Sequence, residues 1–399
     1  MLAQAASLLM YVLCNTRALY GAPPLSDPPH ECPLDDASMR AGAPSALTAI
    51  LAAVGVMSAL GSWVVAKYGF LHSGVRVPVR GAIRAETTHP SQLQRGASSA
   101  LAAAALVLAL GVCFVLIERA TGCNGALWLV KFALTPLHCC VMAWWAAVLL
   151  CVVPFVHVAK KRSAASSVRA VVRKGAVPKI VVRKAFHAVA ILLFLPAILL
   201  DLHFTAIACA GALLVLLCVD FLRAVRAPLV GGALHRYMVQ FTDERDTGAL
   251  ILTHVYLLVG CATPMWAAVA LEASGMHLGS VSQALLAAGG LVSVGVGDSA
   301  AAVVGTLYGS TRWPGSRKTV QGTAAAAASM FLCTALLQAA LSWGGAGGGG
   351  GLFLSGAGLP QLAALAAFIA AVETFCDTSD NLLLPLQWVF AVWFLAVGS

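Results

Sequence analysis

Val281-Ser-Gln-Ala-Leu-Leu-Ala-Ala-Gly-Gly-Leu-Val-Ser-Val-Gly-Val-Gly-Asp298-Ser-Ala-Ala-Ala-Val303 runs for twenty-three residues with a single charge, Asp298. A hydrocarbon core about 30 Å thick needs roughly 20 consecutive apolar residues in a helix, so this stretch has the length of a membrane span. Its apolar run is continuous, whereas a barrel strand would alternate over about ten residues. An acid inside so apolar a segment is costly, which gives Asp298 a claim to a partner or a task.

The rest of the chain repeats the pattern. Of 399 residues, 60% are hydrophobic and 10% charged, against about 25% charged in a soluble domain. Candidate spans lie near 46–66, 98–117, 126–157, 185–200, 204–222, 249–271, 281–303, 322–343, 359–376 and 382–397. The fold class this predicts is all-α, a polytopic transmembrane helical bundle of about ten spans. Residues 1–14 are apolar but short, with Arg17 close behind, and read as a signal-like segment or as part of a further span. The net charge of +9 sits in short loops rather than on one face, which argues against a nucleic-acid binder. Twelve scattered cysteines with no Cys-x-x-Cys pair argue against a disulfide scaffold and a zinc site, and read as small hydrophobes among helices.

Lys and Arg set the sidedness. Loop 158–184 carries Lys160, Lys161, Arg162, Arg169, Arg173, Lys174, Lys179, Arg183 and Lys184 without an acid, and loop 67–97 also leans basic. Both belong in the cytoplasm, while Asp27, Glu31, Asp35 and Asp36 suit the opposite side. The two basic loops agree only if 126–157 crosses an odd number of times. Thr135-Pro136 could split that run, and it is counted here as one crossing. From loop 158–184 onward every polar cluster then emerges on the cytoplasmic side at a helix end. The opposite connections (201–203, 272–279 and the glycine-rich 344–351) are bland.

Four clusters carry candidate chemistry. Asp298 precedes Gly305-Thr-Leu-Tyr-Gly309 and Ser310-Thr-Arg-Trp-Pro-Gly-Ser-Arg-Lys-Thr319. Lys and Arg there can neutralise phosphate oxygens, the start of the helix after Thr319 offers a positive dipole end, and Asp298 could hold a divalent ion. Against this, Gly305-x-x-x-Gly309 is ordinary small-residue helix packing, and the spacing is not that of a P-loop. Asp243, Glu244, Arg245 and Asp246 form a second cluster that reads alone as a solvated loop. Glu373 and Asp377 are four apart on one helix face, where two acids repel unless a cation lies between them, a metal ion being the economical candidate. Asp380 and Asn381 follow. Arg183-Lys184-Ala-Phe-His187 opens a span, with His187 either a packed histidine or a base or phosphate donor.

Taken together, these strings resemble the CTP-dependent polyprenol kinases, the dolichol kinase family. The matching pieces keep their order: Arg183-Lys184-x-Phe186-His187, Asp220-Phe-Leu-Arg223, Asp243 to Asp246 with Ile251 to His254, Gly297-Asp298, Arg312 to Thr319 with Gly322-Thr323, and Glu373 with Asp380 to Pro385. The resemblance divides the chain into an N-terminal transmembrane region, 1–182, and a catalytic transmembrane domain, 183–399. It implies transfer of the CTP γ-phosphate to the hydroxyl of dolichol, giving the lipid carrier of protein N-glycosylation, by a multi-pass protein of the endoplasmic reticulum membrane with its active site facing the cytosol. It implies a nucleotide-binding stretch of Gly305, Gly309, Arg312, Trp313, Pro314, Gly315, Arg317, Lys318 and Thr319, with Arg312, Arg317 and Lys318 on the triphosphate and Trp313 near the cytosine. Asp298 with Glu373 or Asp380 would hold Mg²⁺, Asp298 and Lys318 would be essential, and Asp243, Asp246 or His187 would orient or deprotonate the alcohol. Gln321 departs from the acid expected before Gly322. A kinase for phytol or farnesol and a CDP-lipid cytidylyltransferase share this logic; a transporter would instead place acids near the bilayer midplane.

Overall fold

A computed structural model of the protein describes residues 36–64, 92–162, 179–224, 227, 230–238, 251–276, 280–343, 358–375 and 380–397. Residues 1–14, Asp243, Asp246, Asp377, the glycine-rich 344–351 and most of the basic loop lie outside that set. The described residues form helices and no strand: α1 (Asp36–Val64), α2 (Gln92–Thr121), α3 (Gly125–Ala133), α4 (Pro136–Arg162), α5 (Lys179–Leu200), α6 (Leu202–Ala224), α7 (Gly231–Met238), α8 (Leu252–Ala273), α9 (Ser280–Ala287), α10 (Ser299–Tyr308), α11 (Val320–Trp343), α12 (Leu359–Phe375) and α13 (Asp380–Val397), with a π-helical segment, Leu291–Asp298, between α9 and α10. Lipid offers the backbone no hydrogen-bond partners, so long apolar runs fold into elements that satisfy their own amides and carbonyls.

Six helices are long and apolar enough to cross a membrane, and three shorter apolar helices lie at Lys184–Leu200, Leu359–Phe375 and Asp380–Leu395. The run 126–157 does break at Thr135-Pro136: α3 and the first part of α4 meet at 69°. Proline disfavours helix at the residue before it, which places the bend there. With this pair counted once, the ten candidate stretches of the sequence each find their helix. One expectation needs correction. Asp298 does not end its helix, because Ser299–Tyr308 continues the helical path for a further 10 residues.

Two compact units emerge from the contacts. One groups the described residues of Met1–Phe132 with Ile207–Leu258, and the other groups Ala133–Ala206 with Val259–Ser399. They interleave along the chain. In the first, α1 packs along α2, and buried Asp220 accepts from Arg223 Nε at 2.7 Å and from the Ile251 amide at 3.0 Å. This part of the matched pattern therefore anchors the start of α8. Cysteine Cys123, just after α2, is disulfide-bonded, an exception to the reading of these residues as plain packing groups.

In the second unit the π-helical segment is central, packed by α5, α10, α11, α12 and α13. Close approach depends on glycine: a side chain at Gly295 would meet Ile191 of α5 at 2.8 Å, and one at Gly297 would meet Met330 of α11 at 2.6 Å. Helix α5 shows how the interior satisfies its polar groups. Pro196 has no N–H for the Leu192 carbonyl, and the Trp144 indole donates to that carbonyl instead, at 2.9 Å.

Polar residues in this unit collect at two ends. At one, Lys184 begins the apolar part of α5. At the other, Asp201 pairs with His138 at 3.2 Å, and Glu272 takes His203 at 3.3 Å and the Gln283 amide. The connections expected to be bland thus hold a small network of their own. Seventeen residues of α5 separate Lys184 from Asp201, about 25 Å of helix, close to the thickness of a hydrocarbon core.

Candidate active site

Lys184 and His187 lie three apart on α5 and so share a face. Both are buried, and both face Asp298 on the π-helical segment, which is only 5% exposed. The Lys184 ammonium donates to Asp298 Oδ2, and His187 Nε2 lies 3.9 Å from the same oxygen. The π turn is the local device: one extra residue per turn, next to Gly295 and Gly297, brings the carboxylate to α5. Segments of this kind recur at functional sites. A buried charge needs a counter-charge, and here the counter-charge is 114 residues away in the chain.

A second pair lies beside the first. Glu373, near the end of α12 and 3% exposed, receives the Lys318 ammonium on Oε1. Its other oxygen, Oε2, is buried with no hydrogen-bond partner among the described residues. Asp298 and Asp380 are both near enough for their charges to act on Glu373. Three acids from the π-helical segment, α12 and α13 thus converge, two of them neutralised by lysine. Lys318 thus brings a cation to Glu373, where two acids on one helix face were expected to need one.

Lys318 belongs to the loop between α10 and α11, which is built as a tight hairpin. Arg312 bridges to Thr319, the Trp313 amide donates to the Lys318 carbonyl at 3.1 Å, and the Ser316 amide donates to the Trp313 carbonyl at 3.1 Å. With Pro314 second and Gly315 third at φ +73°, this is the signature of a type II turn. Gln321 ties the loop to α11: its Oε1 accepts from the amides of Ser310 and Thr311, and its Nε2 donates to Ser310 Oγ at 2.7 Å. Ser316 Oγ fastens the loop to α12 by donating to the Thr374 carbonyl.

The predicted nucleotide residues divide into two groups. Arg312 and Arg317 are exposed and make no ion pair among the described residues, so two guanidiniums stand open to an anion beside Lys318. Others face inward. Thr319 caps α11 by accepting the Gly322 amide, and lies where side chains at Gly305 and Gly309 would go. Those glycines let α10 and α11 approach. Trp313 donates from Nε1 to Thr323 Oγ1 at 3.0 Å and sets its edge on Phe375, so its ring is engaged with α11 and α12. Asp243 and Asp246 lie outside the described residues. Lys184 was missed as a site residue, although it stood in the quoted Arg183 to His187 string. Thr323, quoted only as part of the Gly322-Thr323 string, and Thr374, which the sequence did not single out, bring their hydroxyls together at 2.6 Å.

Among the described residues no three His, Cys, Asp or Glu side chains come close enough to enclose a metal by themselves. The donor set does suit Mg²⁺, which takes one or two carboxylates and completes its shell with water and phosphate oxygens. Asp298 commits one oxygen to Lys184, and Asp380, in the first turn of α13, accepts only its neighbour's amide among the described contacts. Both are hard oxygen ligands with capacity left.

Comparison with known proteins accords with this geometry. The family model described as dolichol kinase matches residues 92–335. Human dolichol kinase is 32% identical over 287 residues, covering 70% of this chain and 49% of the human protein. The Arabidopsis thaliana enzyme is 36% identical over 216 residues, covering 54% and 35%, and the Saccharomyces cerevisiae enzyme is 30% identical over 267 residues, covering 66% and 44%. The chain spans about half the length of the curated relatives it matches, or less. No solved structure matches it. With the family model covering well over half of its residues, the chain belongs to the dolichol kinase family.

Proposed function

We propose that this protein phosphorylates the terminal hydroxyl of dolichol, with CTP as donor and Mg²⁺ as the metal. The observation that carries the reading is the convergence of buried Asp298 and Glu373, each matched by a lysine from another segment, under a hairpin whose Arg312 and Arg317 stay open to solvent. Phosphoryl transfer asks little covalent help of a protein and much positioning and charge neutralisation. Arg312, Arg317 and Lys318 would hold the triphosphate. Asp298 and Asp380 would hold Mg²⁺, which supplies charge neutralisation between phosphate oxygens. The alcohol oxygen bonds to the γ-phosphorus, the bond from that phosphorus to the β–γ bridging oxygen breaks, and CDP departs with the electron pair. The alcohol proton passes to a base of the cluster, His187 being the candidate nearest Asp298.

Sidedness supports a cytosolic site in the endoplasmic reticulum. The basic loop adjoins Lys184, while Cys123, placed by parity on the opposite side, is disulfide-bonded as in an oxidising lumen. A lipid carrier keeps its tail in the bilayer, so its hydroxyl can be reached only near a helix-end boundary. The test is direct: microsomes containing the protein, given dolichol and γ-labelled CTP, should form labelled dolichyl phosphate only with a divalent ion present. Preference for ATP would refute the donor assignment. Release of pyrophosphate instead of CDP would mark a cytidylyltransferase.

A further inference from the structure

A cleft of about 280 Å³ runs between α11 and α12, directly beneath the hairpin. Its walls are methyl groups: Ala324 and Ala327 on α11, and Ala367, Ala370 and Ala371 on α12. Ala324, Ala367 and Ala371 are exposed, so the cleft opens sideways from the helix pair. For two apolar helices in a multi-pass protein, such an opening suits entry from lipid. At the hairpin end, Trp313 and Phe375 meet edge to face, with ring centres 5.8 Å apart. Between them and the alanines lies the cleft's polar feature, the hydroxyl pair of Thr323 and Thr374.

We infer that this cleft seats the hydroxyl end of the isoprenoid alcohol, its first isoprene units against the alanines and its hydroxyl beside Thr323 and Thr374. The inference rests on the lipid-alcohol reading above and locates that substrate. Three observations select an alcohol with a long apolar tail over other occupants. An apolar channel ending in two hydroxyls matches an amphiphile with one small neutral head; a charged headgroup would meet methyl walls. Entry from the side requires a molecule already dissolved in the bilayer. The head of the cleft also adjoins the charged site: Trp313 of the hairpin lines it, and Glu373, the residue before Thr374, takes Lys318 of the same hairpin. Alanine at five wall positions keeps the two helices near enough to grip a thin, methyl-branched chain while leaving a passage for it.

The hairpin then serves both substrates. Trp313 closes the head of the cleft by its bond to Thr323, and Lys318, five residues on, neutralises Glu373 and adjoins the two open arginines. The alcohol and the terminal phosphate would meet across one turn of polypeptide.

The test uses the full chain in membranes with a polyprenol carrying a diazirine near its hydroxyl end. Irradiation should label peptides from Val320–Trp343 and Leu359–Phe375, and unlabelled polyprenol should compete. Ala327→Leu and Ala371→Phe, which fill the cleft, should each lower labelling and raise KM for polyprenol by about tenfold or more, leaving KM for CTP within about twofold. Labelling confined to other helices would overturn the inference, as would filled variants with unchanged polyprenol KM. Should a variant fail to insert, labelling of the unaltered chain decides. Labelling needs no turnover, so a labelled cleft without transfer from CTP would sink the kinase reading and keep the lipid site. Transfer with label elsewhere would do the reverse.

Discussion

Lys184→Met is the most informative single perturbation. It preserves much of the side chain's length and removes its charge. Asp298 would then be left with side-chain exposure of 6% and without its ammonium partner. Two unit charges in contact at about 4 Å attract by about 4 kcal/mol at an effective dielectric constant near 20. Breaking a buried pair from one side costs about 3–5 kcal/mol, because the remaining charge stays desolvated. The expected loss is therefore about 3–5 kcal/mol in reversible unfolding of the purified, detergent-solubilised protein, together with loss of phosphoryl transfer. The double variant Lys184→Met with Asp298→Leu removes both charges and should recover most of that stability while staying inactive. A single variant as stable as the parent would refute the reasoning, because Asp298 would then need no cation. So would a double variant as unstable as the single, since the penalty would lie in lost packing around the lysine stem.

Gln321 offers a test of the hairpin. Gln321→Leu removes the acceptor for two loop amides, each hydrogen bond being worth about 1 kcal/mol, and should raise KM for CTP by about tenfold; Gln321→Glu keeps that acceptor and should stay within about threefold in steady-state kinetics. Asp201, in the turn between α5 and α6, tests pH dependence. Burial pushes its pKa upward, but hydrogen bonds from His138 and the Phe204 amide outweigh that and hold it below the ordinary 3.8. A depressed carboxylate stabilises the fold above its unfolded pKa, and the contribution disappears as pH falls through the folded value. Unfolding followed from pH 6 down to about pH 2 should show the parent losing stability below about pH 4, and Asp201→Asn should flatten that loss.

Several of the charged residues that the structure brings together stand out in the sequence. Charge is so scarce in this chain that each acid near a span was conspicuous, and Asp298, Glu373, Lys318 and Asp380 all reappear in one neighbourhood. What pattern could not supply was who pairs with whom. Lys184 counts in the sequence both in the basic loop and in the Arg183 to His187 string, without a role of its own, and α5 sets it against Asp298. Trp313, which the resemblance sets near a cytosine and which in a Trp-Pro-Gly turn is more often a packing residue, donates its indole N–H to Thr323. Gly305-x-x-x-Gly309 reads in the sequence as helix packing as well as part of a nucleotide stretch, and with Thr319 it lies where two helices touch. The error over Asp298 had a similar origin: polar residues were equated with helix ends, while helix geometry continues wherever side chains permit it.

Span positions and helical class were settled by amino-acid order alone. Hydrocarbon thickness and the self-satisfied backbone of a helix act on consecutive residues, and so they leave a mark readable along the chain. Tertiary structure alone decided the two lysine–carboxylate pairs, the bond from Trp313 to Thr323 and the cleft between α11 and α12. Those depend on which helix lies beside which, and that adjacency is set by close contacts such as Gly295 on Ile191 and Gly297 on Met330, between residues too distant in sequence for any local pattern to relate them.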